Sequence, residues 1–255
     1  MWGCGFGVAT LAARPRRVFS PAQVAGLSAW YDPSDLTTLF QDVAMTVPVT
    51  AAGQVVAAMR DKSGQERHLT QPTAGKRPIF RTSGTVRWLE ADGVDDELTV
   101  GSRLGLSSNP DVTVVAALRI ETLAASDRRV FEIGQGTGAL AGTFGTEGWA
   151  WRHNNGNAIF GASTPGTDHV ATWQRAAGAS YDGGQFFRDG AQQVRTSSSN
   201  PAVMPSNTVN MTTLFSGGTP AVNFAAQRLY GLVVGNFVDR TRAAQIEAWM
   251  VARMP

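Results

Sequence analysis

The 255-residue sequence has one cysteine, Cys4, two lysines, Lys62 and Lys76, three histidines and only 16% charged residues. Each shortage excludes something. A single cysteine rules out an intramolecular disulfide, so packing and hydrogen bonding must hold the fold. It also suits folding in a reducing compartment such as a host cytoplasm. His68, His153 and His169 are scattered and, with Cys4 alone beside them, offer no zinc-ligand spacing. The formal net charge is +2 and the basic residues are dispersed, so no basic stripe of the kind nucleic acid requires is expected. Twenty arginines against two lysines reflects GC-rich coding more than chemistry. No apolar run reaches the roughly 20 residues that cross a bilayer. The apolar stretch 2–13 is short, and Arg14, Arg16 and Arg17 follow it, the reverse of a signal peptide. Membrane insertion is not expected.

What is abundant is glycine, with 28 residues, and hydrophobic residues at 43%. That combination suits many short strands joined by tight turns, and the length suits one large sandwich. About twelve strands are expected. VTVVAALRI, from Val112 to Ile120, is almost wholly apolar and reads as a central strand covered on both faces. VRWLEA from Val86 alternates. Val47–Thr50 and Gln54–Met59 read as a strand pair around Ala52-Gly53. Trp149–His153 and Asn157–Ala162 flank Asn154-Asn155-Gly156, a tight-hairpin signal. Asp182-Gly183 and Asp189-Gly190 bracket the short strand GQFFR. After Asp239 the period changes. Ala243, Ile246, Trp249, Met250 and Arg253 recur at helical spacing, predicting an amphipathic helix over 240–253 that seals an edge or end of the sandwich. Near residue 35, Ser34 and Asp35 predict a capped helical turn.

Three phrases stand out: AWYDPSDLTTLFQD from Ala29, RDKSGQ from Arg60 and ADGVDD from Ala91. With PVTAAGQ, the hairpin YDGGQFFRDGAQQV and the closing RLYGLVVGNFVDRTRAAQIEAWMVA, they resemble, in order and spacing, the concanavalin A-like (laminin-G-like) domains of tailed-phage and prophage structural proteins. The resemblance covers most of 25–252. It implies an all-β, two-sheet concanavalin A-like (jelly-roll) sandwich over 25–255, with an N-terminal arm over 1–24 and a C-terminal helix. It further implies a non-enzymatic virion component, either a head decoration or spike, or a tail-fibre or baseplate part, made in the host cytoplasm. Its partners would be other virion proteins, reached through Trp2, Phe6, Arg14, Arg16 and Arg17 of the arm, together with copies of itself and host surface glycans. A fold of this kind hosts many functions, so the site must decide.

Three sets of residues carry candidate chemistry. Trp149, Trp151 and Trp173, with Asn154, Asn155 and Asn157, could form a sugar platform, because aromatic faces stack on sugar rings and amides bind hydroxyls. Trp149 and Trp151, two apart, share one face of their strand; the competing expectation is core packing. Glu90, Asp92 and Asp95 approximate the E-x-D-x-x-E pattern of glucanases of this fold, but Gly93 breaks the strand, and Asp95-Asp96-Glu97 crowds charges into a turn. No cofactor is expected. Calcium is the one ion that Asp92, Asp95 and Asp96 could hold, since hard cations take carboxylate oxygens. Gly134-Gln-Gly136-Thr-Gly138 is glycine-rich but does not open a helix, which excludes a dinucleotide site.

Overall fold

A computed structural model describes residues 19–124, 127–136, 139–153, 156–180, 182–199, 202, 207–217 and 222–255. In chain order its strands are β1 (Leu27–Tyr31), β2 (Leu39–Phe40), β3 (Ala58–Met59), β4 (Leu69–Thr70), β5 (Ile79–Ser83), β6 (Val86–Asp92), β7 (Leu98–Val100), β8 (Val112–Ile120), β9 (Arg128–Ile133), β10 (Leu140–Gly145), β11 (Gly148–His153), β12 (Gly156–Phe160), β13 (Asp168–Arg175), β14 (Gln185–Arg188), β15 (Ala191–Gln192), β16 (Arg195–Ser199), β17 (Thr212–Leu214) and β18 (Ala226–Gly235), followed by helix α1 (Arg240–Val251).

They form two antiparallel sheets. The first runs β15-β14-β13-β8-β18-β6-β5, with β1 also on β18. The second runs β16-β12-β11-β10-β9-β17-β7-β4-β3-β2. The expected all-β, two-sheet sandwich with a C-terminal helix is what the chain adopts. The strands exceed the expected dozen because several are two-residue pieces that show no periodicity in sequence.

The core lies between the sheets. Val112, Val114, Ala116, Leu118 and Ile120 of β8 face inward with Phe131, Phe144, Trp149, Trp151 and Trp173. The alternate residues of β8, Val115 and Ala117, join a second apolar layer on the outer face of the first sheet, beneath Ile246 and Met250 of α1. This is why β8 is apolar on both faces, as its sequence predicts. Burying an aliphatic side chain of this kind is worth roughly 1.5–3 kcal/mol.

Asp239 caps α1, its carboxylate accepting from the backbone N–H of Thr241 and Arg242. The predicted helix is therefore present, but its position differs: α1 lies across the outer face of the first sheet, against β8, β13 and β18, and does not close an end. Asp35 likewise caps a short helical turn over Leu36–Thr38. The predicted pairing of 47–50 with 54–59 does not form. Pro48 bridges to Phe40 and Val55 to Ile79, while β3 pairs with β2 and β4. Of the stretch assigned to the arm, Phe19 and Val24 pack on the outer apolar layer; residues 1–18, with Trp2, Phe6, Arg14, Arg16 and Arg17, lie outside the described residues. No described helix is long and apolar enough to cross a membrane.

Candidate functional site

The phrases around Trp30 and Asp61 come together as a clasp. Asp61, nearly buried, accepts through Oδ1 from the N–H of Trp30 at 2.9 Å and of Ser63 at 2.8 Å. Its Oδ2 accepts from the Ser63 hydroxyl at 2.6 Å and the Arg67 N–H at 3.1 Å. Lys62 Nζ lies 3.1 Å from Asp32 and 2.8 Å from Asp35, over the Trp30 ring. Arg253, just beyond α1, reaches Asp32 at 3.6 Å. The Tyr31 hydroxyl donates to the Arg67 carbonyl at 2.6 Å. Burial, reinforced by the charge of Asp61, pushes that phenol well above its usual range. Every carboxylate here has a cation or several donors, so the clasp fastens the chain and leaves no group free for a ligand.

The ADGVDD phrase forms a corner. β6 ends at Asp92, and Gly93 turns the chain at φ +78°, where a Cβ would press within 2.7 Å of the Ala226 nitrogen. The turn brings Asp92, Asp95 and Asp96 together, with one carboxylate oxygen from each lying within 4.8 Å of the others. Asp92 Oδ1 accepts from the N–H of Val94 and of Asp95, and Asp96 Oδ2 accepts from the Asp92 N–H at 2.9 Å. Among the described residues no lysine or arginine is ion-paired with any of the three. Burial pushes Asp96 up to about 6, and the charges of Asp92, Asp95 and Glu90 add to the shift against one opposing backbone hydrogen bond. The oxygens are of the type a hard cation takes, though three carboxylates supply only part of the roughly six to eight oxygens calcium takes. The set does not fit a glycosidase pair: Asp95 lies past the strand end, and Glu90 is bound to Arg81 at 3.0 Å.

The tryptophan platform is corrected by the structure. Trp149 and Trp151 do share a face, but it is the inner one, and both are fully buried with Trp173. Trp149 stacks on Phe186 with centroids 5.3 Å apart, and the Trp173 indole donates to the Ala150 carbonyl. No sugar ring reaches these faces, because the apolar surface they bury is the core itself. Asn157 is partly exposed on the outward face, where its Oδ1 accepts from Ser199. Asn154 and Asn155 lie outside the described residues.

A groove that the sequence did not announce lies one layer above Trp151. The chain leaves the edge of the first sheet at β15, crosses through Gln193 and Val194, and enters the edge of the second sheet as β16. In the crook lies an open groove of about 370 Å³ lined by Phe160, Gly184, Gln185, Gln192, Gln193, Val194 and Arg195, within the range of small-molecule sites, roughly 300–1,000 Å³. The Trp151 indole donates to the carbonyls of Gln174 at 3.2 Å and Gln185 at 3.1 Å, fixing the groove's floor from below. Gly184 must lack a side chain, since a Cβ would lie 2.2 Å from Trp151 Cδ1. The available signal was three glutamines in the hairpin bracketed by two Asp-Gly turns.

No protein-family model matches the chain, and no curated protein matches it. Solved structures do match. An α-L-arabinofuranosidase aligns with a TM-score of 0.61 at 12% identity, over 89% of this chain and 63% of that one. The Trypanosoma rangeli sialidase in complex with sialic acid aligns with a TM-score of 0.59 at 12% identity, over 89% and 33%. The binding domain of Paraclostridial Mosquitocidal Protein 1 aligns with a TM-score of 0.57 at 10% identity, over 79% and 51%. The likeness is one of fold. The chain spans about a third of the sialidase, half of the toxin chain and under two thirds of the arabinofuranosidase. At these identities the shared sandwich says nothing by itself of activity.

Proposed function

We propose that this chain is a non-enzymatic, glycan-binding sandwich displayed on a tailed-phage particle, as a head decoration or spike or as a tail-fibre or baseplate component. The observation that carries the binding half is the groove: it is open, its walls mix apolar surface with glutamine side chains, and none of its seven lining residues is a carboxylate. Glycoside cleavage by the usual route needs two carboxylates flanking the bond, so a groove of this composition holds a sugar without cutting it. The other half rests on the resemblance of the clasp phrases, the hairpin and the closing helix to phage structural domains. Arm residues 1–18 would dock the sandwich to the particle. Repetition of copies would convert weak single sites into firm attachment, because later binding events become intramolecular.

Cryo-electron microscopy tests the display half. Particles carrying the full protein are compared with particles whose copy lacks residues 1–18, a deletion that leaves Phe19 and Val24 seated. Surface density that disappears with the deletion supports the proposal; no density on either particle overturns it. A second reading is a glycan depolymerase that uses Glu90 with Asp92 or Asp95, against the geometry described above. It requires release of reducing sugar that is abolished by Asp92→Asn or Asp95→Asn. A third, a ligand-free cement, requires occupancy on the particle without any glycan binding.

A further inference from the structure

We infer that the groove between the two sheet edges is the sugar site, and that it takes neutral rather than anionic glycans. This rests on the glycan-binding reading above and deepens it by naming the place and the ligand class.

The first argument is what the walls leave free. The side-chain amides of Gln185 and Gln192 make no hydrogen bond within the protein among the described residues, and both residues are exposed. Gln193 spends its Nε2 on the Ala191 carbonyl, and its Oε1 accepts from no donor among the described residues. A primary amide carries two donors and an acceptor with two lone pairs. That suits adjacent sugar hydroxyls, each of which donates and accepts. Apolar surface sits beside the amides: Phe160 at the base, and Val194 on the rim at 81% exposure. Carbohydrate rings present C–H faces as well as hydroxyls, so a mixed wall of this kind matches both.

The second argument is charge. Arg195 is the one charged residue in the lining, and it is already engaged: its Nη1 donates to the Asp182 carbonyl and lies 3.3 Å from the Asp182 carboxylate. An acidic sugar would have to displace that carboxylate or lie beside it. A neutral sugar meets no such competition. The third argument is rigidity. Trp151 clamps the Gln174 and Gln185 carbonyls, and Phe187 to Gln192 and Arg188 to Ala191 are paired across the hairpin. The amides therefore project from a fixed backbone, which reduces the ordering cost of binding.

The test is saturation-transfer NMR on the full chain. The probes are lactose, maltose and chitobiose as neutral disaccharides, against sialyllactose and digalacturonic acid. The variants are Gln185→Ala, Gln192→Ala and, as a control away from the groove, Asp95→Asn. The expected result is transfer to at least one neutral disaccharide, with affinity falling about tenfold for each lost amide contact and unchanged in the control. Binding of the anionic probes alone overturns the ligand class. Binding that survives both glutamine substitutions overturns the location while sparing the glycan reading. No transfer to any of the five overturns the reading and this inference with it. Both glutamines are exposed, so unaltered melting temperatures confirm that any loss is local.

Discussion

Two acidic clusters of similar appearance in the sequence behave in opposite ways. Around Asp32, Asp35 and Asp61, every carboxylate is met by Lys62, Arg253 or a set of N–H and O–H donors. At Asp92, Asp95 and Asp96 the carboxylates meet chiefly each other. The difference is one of topology. The first cluster gathers cations from positions 62 and 253, while the second is a local turn whose carboxylates pair with no lysine or arginine among the described residues. The clasp therefore stabilises the fold as it stands, and the corner costs stability until something neutralises it.

The largest test of this contrast is Asp61→Ala. It strands the Trp30 and Arg67 N–H groups in a nearly buried setting and should lose about 3 kcal/mol, measured by urea denaturation. A loss below about 1 kcal/mol would mean that the clasp is decorative. Next is calcium at the corner. With 10 mM ion and a dissociation constant near 1 mM, binding would stabilise by about 1.4 kcal/mol at pH 7.5. The effect should shrink at pH 5, where a proton competes for Asp96, and vanish in Asp95→Asn. A melting temperature indifferent to calcium at both pH values would leave the corner as strain alone.

The smallest effect is Asp96→Asn without metal. Burial and its acidic neighbours raise the folded-state pKa of Asp96 to about 6, above the unfolded value near 3.9. Such a group contributes stability that is fully present below about pH 4 and is lost as pH rises through about 6. The full shift corresponds to about 2.4 kcal/mol between pH 4 and pH 7.5, which solvent screening at this half-buried corner cuts to about 1 kcal/mol, and the asparagine variant should lose none of it. Identical pH profiles would show that the corner is already relaxed.

The same contrast explains how much was legible beforehand. The acidic corner was found because its three residues are four positions apart at most, and a turn had to join them. Helix α1 and its Asp239 cap were found because both signals are local. The β8 strand was found because both of its faces are covered, which writes an unbroken apolar run. Period two correctly put Trp149 and Trp151 on one face, yet periodicity does not say whether an aromatic face meets the core or a ligand. The partners of 48 and 55 lay too far off to be seen. The groove was hidden for a related reason: Gln185 belongs to the first sheet, Phe160 and Arg195 to the second, and only the crossing at Gln193 and Val194 brings the two edges together.

One feature of the topology also bears on synthesis. In the first sheet β18 follows all of its partners in sequence, and it pairs with β1, β6 and β8. Contacts so distant in sequence slow folding, because the loop must close before the pairing is rewarded. While the chain is still on the ribosome, β1, β6 and β8 wait as open edges, exposed to aggregation. A product cut short before residue 226 would lack the strand that joins them and could not assemble that sheet.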